Sequence, residues 1–228
     1  MWHMLGDDCC SDFSNNFIKN IKSVIPNAYV YSVKVGITPA GDRINGYFGN
    51  SKIQVDLICQ QLKSNPALAN GYNGLGFSQG GLLMRALLQR CPYPKMNSLV
   101  TFGSPHAGVS SPPCKDALGS FCNSVSKSIN SGVYKPLIQN AIVPAQYYKD
   151  PKNINEYLKK SILLPDINNE IKDYVNRIKQ LKKFVMVKFS QEQIVKPALS
   201  TVRYISNSDI IALLNTMSIP LKIHEGPY

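Results

Sequence analysis

The stretch Gly76-Phe77-Ser78-Gln79-Gly80 sets one serine between two glycines, with an apolar run beginning directly after it. This is the G-x-S-x-G spacing of a nucleophile elbow, a sharp turn from strand into helix. Side chains at the flanking positions would collide with the adjoining strand and helix, so glycine is needed at both. The turn lifts the serine hydroxyl clear of the sheet. It also sets the next N–H, that of Gln79, at a helix start, where it can face a developing oxyanion. Serine attacks only when a base takes its proton, and the base needs an acid to orient it. A five-residue pattern is weak alone, since a glycine-rich turn matches it too.

The elements around Ser78 supply the context the elbow requires. Asn73–Phe77 reads as a short strand, and Leu82–Leu88 as a helix with Leu82, Leu83, Ala86 and Leu87 on its inner stripe. Ala28–Val35 reads as an earlier strand, and Asn50–Leu62 as a helix with Ile53, Leu57, Ile58 and Leu62 inward. Ser98–Phe102 and Phe184–Phe189 are further strands, and Asn169–Lys183 is an amphipathic helix with Ile171, Tyr174, Val175, Ile178 and Leu181 inward. Strands alternating with helices predict an α/β fold, a mostly parallel sheet with helices on both faces. From 109 to 168 the pattern loosens into an insertion over one end of the sheet. The loop Met1–Asp7 looks like the source of a second oxyanion N–H.

At 228 residues the chain suits one α/β domain over 1–228, with no Pro/Gly/Ser-rich linker dividing it. The apolar fraction of 44% is ordinary, and no run approaches a membrane span. The formal charge of +11 is scattered and reads as a solvated basic surface; no motif points to nucleic acid. Six cysteines, at 9, 10, 59, 91, 114 and 122, suit an oxidising compartment. No CxxC pair suggests a metal site, and no cofactor is called for. The connectivity stays open at this level. Two free thiols are the default for the adjacent Cys9 and Cys10, because a bond between neighbours is strained. No apolar leader precedes MWHMLGDD, so either a leader has been removed or the sequence starts late.

MWHMLGDDCC, GYNGLGFSQGGLLMRALLQRCP, LLPDINNE and LKKFVMVKF together resemble the palmitoyl-protein thioesterases, lysosomal α/β-hydrolases that remove fatty acyl groups from cysteine thiols. The resemblance covers about residues 1–197, and 198–228 reads as a divergent or truncated tail. It implies an α/β-hydrolase fold and a serine-dependent thioesterase acting on S-acylated proteins or peptides. It also implies a site for the fatty acyl chain, with the 109–168 insertion as its candidate wall, and a lysosomal or secretory location. Ser78 matches the nucleophile, and the amides of Leu5 and Gln79 match the oxyanion hole. Disulfides Cys9–Cys10, Cys59–Cys91 and Cys114–Cys122 are implied in the same way. The family's N-glycan sequons are absent here.

The family's triad acid is an aspartate two residues before an Ile-Val pair. Glu192 stands there in this chain, ahead of Ile194-Val195. His3 and His106 match non-catalytic positions, His106 with a role in hydrogen bonding its loop. His224 remains as the base. A crossover helix at Ser208–Met217 and a strand at Ile219–Ile223 would set it just past the last strand. The alternative is a hydrolase-fold remnant that lacks its histidine and is impaired or inactive.

Overall fold

The computed structural model describes residues 1–113, 120–171, 175–202 and 224–226. Among these, four parallel strands form one sheet in the order β1 (Tyr72–Phe77), β2 (Met96–Phe102), β3 (Lys183–Phe189), β4 (His224–Gly226). Parallel neighbours require crossovers, and α4 (Gln79–Arg90) supplies the one between β1 and β2. β1 and β2 end on a common line, with Phe77 opposite Phe102 and Phe102 opposite Val187, while β3 runs two residues further and pairs there with β4. On the far side of β1, Trp2 bridges to Gly76 in parallel.

The reading of Ala28–Val35 as a strand is corrected. The segment is extended but forms no strand, and its backbone meets Met1 through Met1 N to Tyr31 O at 2.7 Å and Val33 N to Met1 O at 2.8 Å.

Three helices precede β1: α1 (Asp12–Val24), α2 (Pro39–Tyr47) and α3 (Ser51–Lys63). Each begins at a side chain that accepts from the first turn: Ser11 for α1, Thr38 for α2, Asn50 for α3. The inner face expected for α3 is half wrong. Ile58 and Leu62 are buried, but Ile53 is 68% exposed and Leu57 42%. Ser51 and Gln54 turn inward instead, because each has partners there. Ser51 hydrogen-bonds Gln146, and Gln54 Nε2 donates to Asn45 O at 2.8 Å. Cys59 lies on the same face and is bonded to Cys91 past the end of α4.

α4 is buried almost all round, so it is the central helix of the core. Leu82, Leu83 and Leu87 are each removed from water, worth about 1.5–3 kcal/mol apiece. Arg85 is also fully buried; its Nη2 donates to Asn168 Oδ1 at 2.5 Å and His106 O at 3.1 Å.

The loosely patterned stretch carries short helices: α5 (Ser120–Asn130), α6 (Pro136–Ala141), α7 (Ile154–Lys160) and α8 (Leu164–Ile167). A small apolar cluster of Tyr47, Val125, Ile129, Ile142 and Ala145 joins this segment to Leu5. The long helix expected at Asn169–Lys183 is a single turn, α9 (Val175–Ile178), among the described residues. Asn169 adopts φ 58°, which a helix does not allow, and Ile171 is 59% exposed. Ile178 and Leu181 are buried as expected. Tyr174, the 208–217 helix and the 219–223 strand lie outside the described residues.

Candidate active site

Ser78 sits between β1 and α4 with φ 47° and ψ −121°. A non-glycine residue held there stores on the order of 1–3 kcal/mol of strain. The surroundings over-determine it. Ser78 N donates to Phe102 O at 2.7 Å, and Ser78 O accepts from Gly81 N at 3.1 Å. The hydroxyl makes no cap bond to the helix. It lines a cavity of about 540 Å³.

The glycines are explained by contact. A Cβ on Gly76 would lie 2.4 Å from Gly81 Cα, and one on Gly80 only 2.2 Å from His3 O. The sequence reading missed Gly81, where a Cβ would meet Ser104 Oγ at 1.9 Å. The Gly80-Gly81 doublet was its only signal.

The loop carrying Leu5 turns at Gly6, φ 80°, with Asp7 N donating to Met4 O at 3.2 Å. That bond does not engage the Leu5 amide. Gln79, the first residue of α4, has no carbonyl one turn back for its N–H. Its side chain is locked: Nε2 donates to Gly46 O at 2.9 Å and Oε1 accepts from Tyr147 OH at 3.0 Å. Leu5 and Ser78 line the same cavity, as do Met4, Pro105, Pro113, Tyr147 and Phe189. Pro113 and Tyr147 come from the 109–168 stretch.

Glu192 stands in the loop after β3 and also lines this cavity. Its Oε1 accepts from Ile194 N at 2.8 Å and Val195 N at 2.9 Å. Its Oε2 would be 3.3 Å from a Cβ on Gly103, whose φ is 56°. One carboxylate oxygen is therefore anchored, and the other faces the end of β2.

His224 is the first residue of β4 and pairs in register with Val187. It does not lie just beyond a strand, as expected, because its backbone is part of the ladder. It shares a row with Phe77, three strand spacings or roughly 14 Å across the sheet.

His106 is fully buried, with Nε2 2.8 Å from Thr101 Oγ1 and its ring edge-on to Phe184. Burial, helped by the Arg85 charge, holds its pKa well below the usual imidazole range, so it is neutral. His3 pairs with Asp42 at 3.0 Å.

Cys59–Cys91 is a disulfide, and Cys122 is disulfide-bonded. Cys114, the partner implied for Cys122, lies outside the described residues. The implied Cys9–Cys10 bond is overturned: both are free thiols, Cys9 buried and Cys10 exposed. Adjacent cysteines join only by twisting the peptide between them. The N–H of that peptide is held by Cys10 N donating to Asp8 Oδ1 at 3.0 Å, and the peptide before it by Cys9 N donating to Asp42 Oδ2 at 2.9 Å. Asp8, Cys9 and Cys10 hold three potential metal-ligand atoms within 4.8 Å of one another. The Asp8 carboxylate is already engaged by Arg43 at 2.6 Å.

A strained serine at the C-terminal end of a parallel α/β sheet, backed by a glycine-walled helix start, defines an α/β-hydrolase fold and the hydrolase class. The chain belongs to the palmitoyl protein thioesterase family, whose model it matches over residues 1–220. It is 41% identical over 201 residues to palmitoyl-protein thioesterase 1 of Caenorhabditis elegans, covering 86% of this chain and 67% of that protein. It is 36% identical over 207 residues to a palmitoyl-protein thioesterase-dolichyl pyrophosphate phosphatase fusion of Schizosaccharomyces pombe, covering 88% of this chain and 33% of that one. The chain thus spans two thirds of the first relative and one third of the second. Among solved structures, a 2-hydroxy-6-oxo-6-phenylhexa-2,4-dienoate hydrolase from a Rhodococcus strain aligns with TM-score 0.46 at 14% identity, over 90% of this chain and 78% of that one.

Proposed function

We propose that this chain hydrolyses long-chain acyl thioesters, palmitoyl groups on protein or peptide cysteines, with Ser78 as nucleophile. The observation that carries the reading is the strained Ser78 opening onto a cavity it shares with Leu5 and Glu192. Ser78 Oγ attacks the thioester carbonyl. The tetrahedral oxyanion is met by the amides of Leu5 and Gln79. A base takes the serine proton and passes it to the departing thiol while Glu192 orients it; His224 is the candidate for that base, and the role requires its side chain to leave the β4 row and come within hydrogen-bond reach of Ser78. Water then cleaves the acyl-enzyme and frees the fatty acid.

The cavity falls in the ordinary range for a small-ligand site, and its walls at Leu5, Pro105, Pro113, Phe189, Ile194 and Val195 suit an acyl chain. The strand order supports the acid's role, since Glu192 follows β3 as Ser78 follows β1. The Cys59–Cys91 disulfide fits a lysosomal or secretory compartment.

A second reading is favoured by one observation. His224 pairs within the ladder opposite Val187 instead of following the strand. On that reading the chain is an impaired or inactive remnant. Hydrolysis of a palmitoyl thioester by His224→Ala separates the two. The triad reading expects turnover in the parent chain and its loss in the variant. A folded parent chain that does not turn over the ester contradicts the first reading and supports the second.

A further inference from the structure

Asp42 lies on α2 with its side chain withdrawn from solvent. It is remote from the cavity lining, yet it gathers more of the first loop than any motif suggested. Oδ2 accepts from Cys9 N at 2.9 Å and pairs with His3 Nε2 at 3.0 Å. Oδ1 accepts from Val35 N at 2.8 Å. His3 and Cys9 bracket Leu5, so one carboxylate ties both ends of the oxyanion loop to the extended 28–35 segment.

The helix makes a second contact one turn on. Asp42 and Gly46 are four residues apart and share a face of α2. The Gly46 carbonyl holds the Gln79 side chain at 2.9 Å, and a Cβ on Gly46 would lie 3.7 Å from Leu5 Cδ1. From below, His3 O rests on Gly80. The loop is therefore clamped between α4 and α2, and α2 touches both residues whose amides would meet the oxyanion.

We infer that Asp42 is a positioning residue for the oxyanion hole: it sets the Leu5 amide relative to Gln79 by fixing His3 and Cys9. The inference rests on the Ser78 reading above. A misplacement of about 1 Å at such a site costs up to about 100-fold in rate.

The test uses an alkyl fluorophosphonate, which phosphonylates the active serine and whose labelling separates into a binding constant and a first-order constant. Asp42→Asn keeps the shape and is expected to lower the first-order constant about 10- to 100-fold, with binding changed less than about twofold. Asp42→Glu is expected to restore part of the loss. Hydrogen exchange of the peptide spanning residues 1–8 is expected to quicken in Asp42→Asn. His3→Phe, which leaves the Cys9 and Val35 bonds in place, serves if Asp42→Asn does not stay folded, and a smaller loss of the same kind is expected. Labelling of the folded variant at the parent rate would overturn the inference. If the parent chain itself is not labelled, the Ser78 reading fails by that result. The exchange measurement then decides Asp42 alone, and unchanged exchange in Asp42→Asn overturns its role.

Discussion

A Cβ built on Gly80 would lie 2.2 Å from the carbonyl oxygen of His3, so the first turn of α4 and the loop bearing Leu5 are in backbone contact. No flexible side chain is available to yield there. Gly80→Ala must push the loop off the helix, and overpacking of this kind costs about 1–3 kcal/mol. Thermal melts should fall by roughly 2–12 °C. Gly46→Ala is the matched control, since its Cβ would meet atoms at ordinary distances of 3.7 and 3.8 Å. Its melt should match the parent or exceed it slightly.

Glu192 should separate catalysis from stability. Glu192→Gln retains an oxygen for the Ile194 and Val195 amides. The melt should move little, whereas thioester turnover should drop about 10²- to 10⁴-fold through loss of the carboxylate charge. Glu192→Asp, which keeps the charge at a shorter reach, should fall between the two. Equal turnover in all three would remove Glu192 from the mechanism.

The His3–Asp42 pair makes stability depend on pH. Burial is the largest influence on His3 and pulls its pKa down, but the hydrogen bond and charge of Asp42, with a smaller contribution from Asp7, reverse this and raise it above 6.5. For Asp42 burial raises the pKa, and the bond and charge of His3 with the amides of Val35 and Cys9 bring it below 3.8. A raised histidine contributes stability that is complete below its unfolded value and lost as pH rises through the folded one. A depressed aspartate contributes above its unfolded value and loses this as pH falls through the folded one. The pair is therefore at full strength between about pH 4 and 6.5. Melting temperature should peak in that window, and His3→Phe should flatten the alkaline side of the profile.

The Cys59–Cys91 disulfide joins α3 to the end of α4 across 32 residues. Closing such a loop is worth about 2–4 kcal/mol, mostly through the unfolded chain. The double change Cys59→Ala, Cys91→Ala should lower the melt by roughly 4–16 °C. The unfolding transition should keep its cooperativity.

The elbow was legible from its spacing: Gly76 answers to Gly81 a few residues on, whereas the contact that requires Gly80 comes from the distant carbonyls of Trp2 and His3. Strands β2 and β3 were legible from short β-branched or aromatic runs, and β1 from its place directly before the elbow. The inner face of α3 was not. Apolarity alone selects Ile53 and Leu57, while Ser51 and Gln54 go inward because Gln146, 95 residues away, and Asn45 of α2 satisfy them. The helix expected at 169–183 does not start at Asn169, whose left-handed backbone periodicity does not register. The bonds that hold the Cys9 and Cys10 amides come from Asp42 and Asp8, and Asp42 is 33 residues from Cys9. Asp42 itself carried no motif; its role comes from backbone and side-chain partners brought together by the fold.

The most direct measurement is hydrolysis of a fluorogenic palmitoyl thioester by the purified chain beside Ser78→Ala, both shown folded by their melts. The account predicts turnover in the parent and only the uncatalysed background in Ser78→Ala, with the acyl group trapped on Ser78 when the reaction is quenched early. Equal rates in the two proteins would contradict it.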